Sequence, residues 1–219
     1  MKREYLLAIV STIVLLLMVT TCVYAVDVAD IILEDDFEGG QEGWAQAARG
    51  VAAMVFTIDN KESISGDQSA RFEVGNIGGG GMHDLTLDSV LPIELQGDET
   101  YTVDFWVKAE EDRTIAIDLL MNHDPWSNVF RIENIPVTTE WEVQHHTFKA
   151  TLDDPNTVFL FSFSRASNKN PTATMWIDRV RFYRGDFEEE DLVGKPPQAV
   201  TPDGKLAGSW GLVKSGNSY

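Results

Sequence analysis

The residues best suited to chemistry are aromatic rings set among polar groups. Asn122-His123-Asp124-Pro125-Trp126 places one indole in a polar stretch, outside any alternating pattern. From Tyr101 to Lys108 apolar and polar residues alternate. In a strand this puts Tyr101, Val103, Phe105 and Val107 on one face and Asp104, Trp106 and Lys108 on the other. Phe159, Phe161, Phe163 and Arg165 share a face by the same rule, so a guanidinium extends an apolar row. An indole beside Asp, Asn, Arg or His suits a sugar: the ring packs on the C–H face and the polar groups bond the hydroxyls. Trp106 has a second reading, as cover for the outer layer of a sandwich. Trp141, followed by Val143, is expected in the core. His83 and His123, each followed by Asp, are candidates for polar ligand contacts or plain loop histidines. His145 and His146 are adjacent on an expected strand, point to opposite faces and so cannot chelate one ion.

Signatures of catalysis are largely missing. There is no Gly-x-Ser-x-Gly, no His-Glu-x-x-His, no calcium-binding loop of the helix–loop–helix type and no Glu-x-Asp-x-x-Glu string. Paired carboxylates need only meet about 5–10 Å apart in space. A hydrolase or lyase reading therefore stays open, with Asp104, Asp118, Glu133 and His123 as the residues to inspect. Gly78-Gly79-Gly80-Gly81 lacks the Lys-Ser/Thr of a phosphate loop and reads as a flexible connection.

The elements that must position these groups are strands. Met54–Ile58, Ser69–Val74, Tyr101–Val107, Thr114–Met121, Phe130–Ile135, Trp141–Lys149, Val158–Phe163 and Met175–Phe182 alternate apolar with polar, and Gly, Pro, Asp and Asn clusters separate them. No stretch carries a helical period. The reading is an all-β, two-sheet antiparallel sandwich.

The chain has 219 residues, 17 Lys and Arg against 35 Asp and Glu, and a net charge of -18. Such acidity argues against nucleic acid and anionic membrane surfaces as partners. Residues 1–25 read as a signal peptide: Lys2 and Arg3, an apolar run from Tyr5 to Val19, then Val23-Tyr24-Ala25 before a cleavage point. The run is about 15 residues, short of the roughly 20 that span a bilayer. An uncleaved anchor and a lipoprotein linked through Cys22 are the alternatives. Cleavage would remove the one Cys and a net +1, leaving -19. Residues 26–185 form the expected domain, and 186–219 an acidic linker and flexible tail. Secretion, to an extracellular or periplasmic location, follows.

Five segments together resemble carbohydrate-binding modules of the family 4/9/16/22 group, the galactose-binding-domain-like jelly rolls. These are Ile32 to Trp44, with Phe37-Glu38 and Gly43-Trp44; Ser65-Gly66-Asp67-Gln68-Ser69; Tyr101 to Lys108; Trp141 to Phe148; and Met175 to Phe182, with Ile177-Asp178. They cover residues 31–184 in the family's order. The resemblance implies a non-catalytic module, of the kind attached to glycoside hydrolases. It would bind a polysaccharide or oligosaccharide in a cleft on the concave sheet, alone or in a larger extracellular assembly. Trp106, Trp126, Asn122, His123, Asp104, Arg165, Phe163 and His83 are the expected sugar contacts. It also implies a structural Ca2+ held by Glu38 and Asp178, with backbone oxygens of Asp36 and Asp67, and Glu62 as a further side-chain candidate. Departures from the pattern are Glu34-Asp35-Asp36 where the family often has Asn-Pro-Gly, and Arg179 where many members have a second Asp. A structural or adhesion sandwich without a sugar site is the remaining alternative.

Overall fold

The computed structural model describes residues 30–164 and 171–189. Arg165 lies outside them, as do the expected signal segment and most of the expected tail. Twelve strands form: β1 Ile31–Asp35, β2 Trp44–Ala48, β3 Ala53–Asp59, β4 Ser69–Asn76, β5 Leu85–Ser89, β6 Ile93–Leu95, β7 Thr100–Ala109, β8 Arg113–Met121, β9 Asn128–Val137, β10 Glu142–Lys149, β11 Asp154–Ser162 and β12 Thr174–Arg184. Among the described residues there is no α-helix. The first sheet runs β10-β7-β12-β4-β3, with β1 also on β12; the second runs β2-β5-β11-β8-β9, with β6 also on β11. All pairings are antiparallel. The sandwich expected from the alternation is the fold observed.

Alternation explains which residues close the core. Phe72 of β4, Tyr101, Val103, Phe105 and Val107 of β7, and Phe182 of β12 point inward from the first sheet. Leu85 and Leu87 of β5, Ile115, Ile117 and Leu119 of β8, and Phe159 and Phe161 of β11 point inward from the second. The layers meet through aromatic pairs, with Phe72 on Phe163 at 4.8 Å and Phe105 on Phe161 at 4.9 Å between centroids. Each such ring contributes about 1.5–3 kcal/mol by leaving water. Trp44 closes one end on Phe161 and donates its indole N–H to Asp35 Oδ2 at 2.7 Å.

Sheet edges are handled by side-chain amides. The Gln46 amide accepts from Phe56 N at 2.7 Å and donates to Met54 O at 3.3 Å, and Gln41 Nε2 donates to Phe56 O at 3.0 Å. These bonds satisfy the outer edge of β3, which would otherwise present open backbone groups to another strand.

Two local expectations need correcting. Val143 is exposed and pairs with Trp106 on the outer face of the first sheet, and the Trp141 ring lies 5.9 Å from the Lys108 ammonium. Trp141 therefore stands just before β10, whose apolar anchor is Phe148, stacked on Phe130 at 4.1 Å. The glycine run is a built turn: Asp84 Oδ2 accepts the N–H groups of Gly79 and Gly81, both at 2.9 Å. A Cβ at Gly81 would fall 2.5 Å from that carboxylate, and Gly78 holds φ at 88°. Glycine is needed here for close approach.

Candidate functional site

The outward face of the second sheet is built from the residues that alternate with the core set. Pairing places Ala45, Asp88, Leu160, Asp118 and Arg131 in one row across β2, β5, β11, β8 and β9. A second row holds Ala47, Thr86, Ser162 and Ala116; a third holds Val158, Leu120 and Asn128. Asp118 is fully buried, and its Oδ1 accepts from Asn128 Nδ2 at 2.6 Å and from Arg131 Nε. Arg131 Nη2 donates in turn to Asn128 Oδ1 at 2.7 Å. The glycine turn lies over the second row, because Ser162 Oγ donates to the Met82 carbonyl and Ser164 Oγ donates to Gly81 O at 2.8 Å. Arg49 holds it from the side by donating to His83 O at 2.7 Å.

This face is short of partners. Among the described residues seven buried side-chain polar atoms lack a hydrogen bond, and four cluster here: His83 Nε2, Thr86 Oγ1, Asp88 Oδ1 and Asp118 Oδ2. His83 Nε2 stands 3.6 Å from Asp118 Oδ2, beyond hydrogen-bonding reach. Burial pushes the Asp88 carboxyl up; the nearby Thr86 hydroxyl, which falls short of hydrogen-bonding geometry, and the charges of Arg49 and His83 oppose this. Buried groups without partners are rare in folded domains, and a cluster of them on one face calls for an explanation.

At the open end of the face the β8–β9 loop carries Trp126. The indole is 58% exposed, and its backbone sits in the left-handed region at φ 58°, a conformation that costs a bulky residue about 1–2 kcal/mol. The turn closes through Trp126 N donating to His123 O at 2.7 Å, across a cis Asp124–Pro125 bond. Both His123 ring nitrogens are engaged, Nδ1 with Asp124 O and Nε2 with Asp154 Oδ2, each at 2.8 Å. The Asp124 carbonyl, then the Asp154 carboxylate, raise the His123 pKa. Burial would raise Asp154, but Asn156 N–H, His123 and the Thr157 hydroxyl outweigh it and hold the carboxyl low. Asn122 is exposed beside this loop, its backbone N–H bound to Asn156 O at 2.8 Å.

The expected sugar contacts are thus divided by the fold. Asn122, His123, Trp126 and His83 border the second sheet's outward face. Trp106 and Asp104 lie on the outward face of the first sheet, across the core. Asp104 is buried there, accepting from Arg181 Nε and Nη2 at 2.8 and 2.7 Å and from the Tyr183 hydroxyl at 3.1 Å. Residues 186–189 cover this pair: Glu188 N donates to Tyr183 Oη at 3.2 Å, and Phe187 stacks on His145 at 3.8 Å. Phe163 is fully buried between the sheets, so its ring faces are spent on the core. Thr86, Asp88, Asn128 and Arg131 were missed in the sequence. Thr86 and Asp88 have a signal in the polar residue at every second position of Leu85–Ser89; Asn128 and Arg131 are three apart and reach one face only through the irregular register between Leu119 and Leu120.

The expected calcium ligands converge on one turn. Glu38 Oε1 accepts from Asp67 N and Gln68 N at 2.6 and 2.8 Å. Asp178 Oδ2 accepts from Ile64 N and Ser65 N at 2.9 and 3.1 Å, and Oδ1 accepts from Arg179 N at 2.7 Å. Asp36 Oδ1 accepts from Glu38 N at 3.2 Å, and the Glu62 carboxylate pairs with Lys108 Nζ at 2.9 Å. Gly66 holds φ at 58°, and a Cβ there would lie 2.2 Å from Glu38 Oε1. Burial pushes the Asp178 carboxyl up to about 7, only partly offset by its backbone donors and the Arg179 charge. Among the described residues no three acidic, His or Cys side chains gather around one point. The carboxylates of Glu38 and Asp178, from two different elements, both reach this turn, and carboxylate oxygens are the hard ligands that suit calcium.

Comparison with known proteins follows this geometry. No curated protein matches the sequence. Among solved structures, a CBM4 module superposes with TM-score 0.54 at 22% identity, over 71% of this chain and 95% of the module. BiXyn10A CBM1 in its apo state superposes with TM-score 0.54 at 14% identity, over 71% and 99%. The CBM22-1 xylan-binding domain of Paenibacillus barcinonensis Xyn10C gives TM-score 0.51 at 14% identity, over 71% and 94%. At these identities the likeness establishes the fold, a jelly-roll sandwich. The family model described as Carbohydrate binding domain (CBM_4_9) matches residues 29–172, from β1 through β11, and so the chain belongs to that carbohydrate-binding family.

Proposed function

We propose that this protein is a secreted, non-catalytic module that binds a neutral polysaccharide on the outward face of the second sheet. Trp126 stacks on a sugar ring at the open end. Asn128, Arg131 and His83 bond hydroxyls above the row that holds Asp88 and Asp118. The carrying observation is a strongly exposed indole on the loop joining β8 and β9, two strands of the sheet whose outward face holds four buried polar atoms without a hydrogen bond. Hydroxyl-rich ligands supply both donors and acceptors, whereas an acidic glycan would meet the repulsion of an acidic protein. The test is retention on affinity gels of soluble xylan and mixed-linkage β-glucan, with release of reducing sugar assayed in parallel. Retention without release supports the reading. Absence of retention on a broad glycan panel overturns it, and release of sugar overturns its non-catalytic part.

The proposal includes calcium at the Ile64–Gln68 turn. Glu38 and Asp178 would hold the ion with backbone oxygens of Asp36 and Asp67, while Glu62 stays with Lys108. The ion would supply positive charge to a buried carboxylate and tie the β1–β2 loop to β12. Export follows from the segment at 1–25.

A further inference from the structure

We infer that His123 is a positioning residue that must be an imidazolium to hold Trp126 in its binding pose, so that glycan binding weakens as pH rises. This rests on the sugar-binding reading and names how that site is controlled. The geometry is restrictive. Nδ1 faces a backbone carbonyl and Nε2 faces a carboxylate, and both partners can only accept. A neutral imidazole has one N–H and can serve only one of them; the imidazolium serves both.

The two bonds have different tasks. Nδ1 to Asp124 O closes the loop on itself, one residue from Pro125 and two from Trp126. Nε2 to Asp154 Oδ2 fastens the loop to β11. Asp154 is a fixed post: it is buried, and its Oδ1 accepts from Asn156 N at 2.8 Å and from Thr157 Oγ1 at 3.1 Å. The charged groups that face the ring are Asp154 of β11 and Asp124 of its own loop, both acidic. Trp126 needs this support, since an exposed indole at positive φ has little core contact to hold it.

The sign follows from the partners. They raise the His123 pKa above its ordinary 6.5. The clamp is therefore complete below about 6.5 and is lost as pH rises through the higher value of the folded protein. Losing one of two hydrogen bonds predicts a fall in affinity of about 3- to 10-fold.

The experiment is a titration of the full protein from pH 5 to 9. Three quantities are read: the His123 ring resonance by NMR, the Trp126 indole resonance after fluorotryptophan labelling, and retention on soluble xylan and mixed-linkage β-glucan gels. The expected result is a His123 midpoint above 6.5, with the Trp126 signal and gel retention changing at that same midpoint. Asp154→Asn should move all three midpoints down together. His123→Gln, which keeps one donor, should bind weakly and without pH dependence in this range. A Trp126 signal that ignores the His123 titration overturns the inference, as does a pH-dependent fall in retention that survives in His123→Gln. If neither gel retains the protein at any pH, the sugar-binding reading fails, while the two NMR midpoints still decide whether the clamp exists.

Discussion

Replacing Trp126 by Ala should abolish most glycan binding and leave the fold unchanged. The indole is 58% exposed. For a side chain of about 250 Å² that leaves roughly 145 Å² open, and a sugar on one face covers about half. At about 25 cal/mol per Å² the covered area contributes roughly 2 kcal/mol, or a dissociation constant about 25-fold higher once lost. Stability should shift by no more than about 0.5 kcal/mol, as for other exposed substitutions. Two controls sharpen the test. Trp106→Ala lies on the opposite sheet and should leave affinity unchanged. Phe163→Ala empties a fully buried site and should cost about 3–5 kcal/mol of stability. Isothermal titration with the retained glycan and urea unfolding of each variant read both quantities. Loss of binding in Trp106→Ala with binding intact in Trp126→Ala would place the ligand on the wrong sheet and refute the assignment.

Arg181→Met leaves Asp104 buried without its cation and should cost about 3–5 kcal/mol in urea unfolding; the double variant with Asp104→Asn should recover part of it. Calcium should raise the melting temperature and EDTA should reverse the rise; an EDTA-insensitive wild type, or a Glu38→Gln variant with the same calcium response, would dismiss the ion. Gly81→Ala should disturb the turn over the second row, because its new Cβ meets the Asp84 carboxylate at 2.5 Å; proteolysis within 77–84 would detect the opening.

The fold was legible because strand alternation is a local signal that the core must obey. The long strands β4, β7 and β11 could be read residue by residue along their aromatic and aliphatic rows, whereas the inward set of β12 changes phase at the bulge between Asp178 and Arg181. The site was only partly legible. Trp126 stood out because a large ring in a polar loop has no core to join. Trp106 shares its strand face with Asp104 and Lys108, so the alternation alone leaves it a second candidate, and only the pairing of β7 with β12 and β10 shows that its polar neighbours are already bonded. Phe163 was misleading for a related reason: its row ends near Arg165, yet the ring itself faces inward. Asp88, Asn128 and Arg131 meet only through pairing across β5, β11, β8 and β9, and a long-range register is not written in any one segment.

The two sheets carry their polar groups in opposite ways, and this decides where a ligand belongs. On the first sheet the outward groups have found one another. Asp104 has Arg181 and Tyr183, Lys108 has Glu62, the Trp176 indole donates to Asp59 at 2.9 Å, and the Thr102 and Thr147 hydroxyls meet at 2.8 Å. A ligand there would have to break bonds before making any. On the second sheet Asp118, Asn128 and Arg131 are bonded to one another, but four buried polar atoms within two rows and one turn lack a hydrogen bond, in two facing pairs, His83 with Asp118 and Thr86 with Asp88. The other three such atoms, on Arg113, His146 and Glu188, are dispersed. A cluster of unmet bonds on one face is a stability cost that fits a binding function, with the Asn128–Arg131–Asp118 network holding the rest of the row. The same cost predicts that Asp88→Leu and Thr86→Val, which remove acceptors without emptying volume, should stabilise the free protein while weakening glycan retention. A loss of stability in both would mean that the bonds are met in solution and that the face is structural.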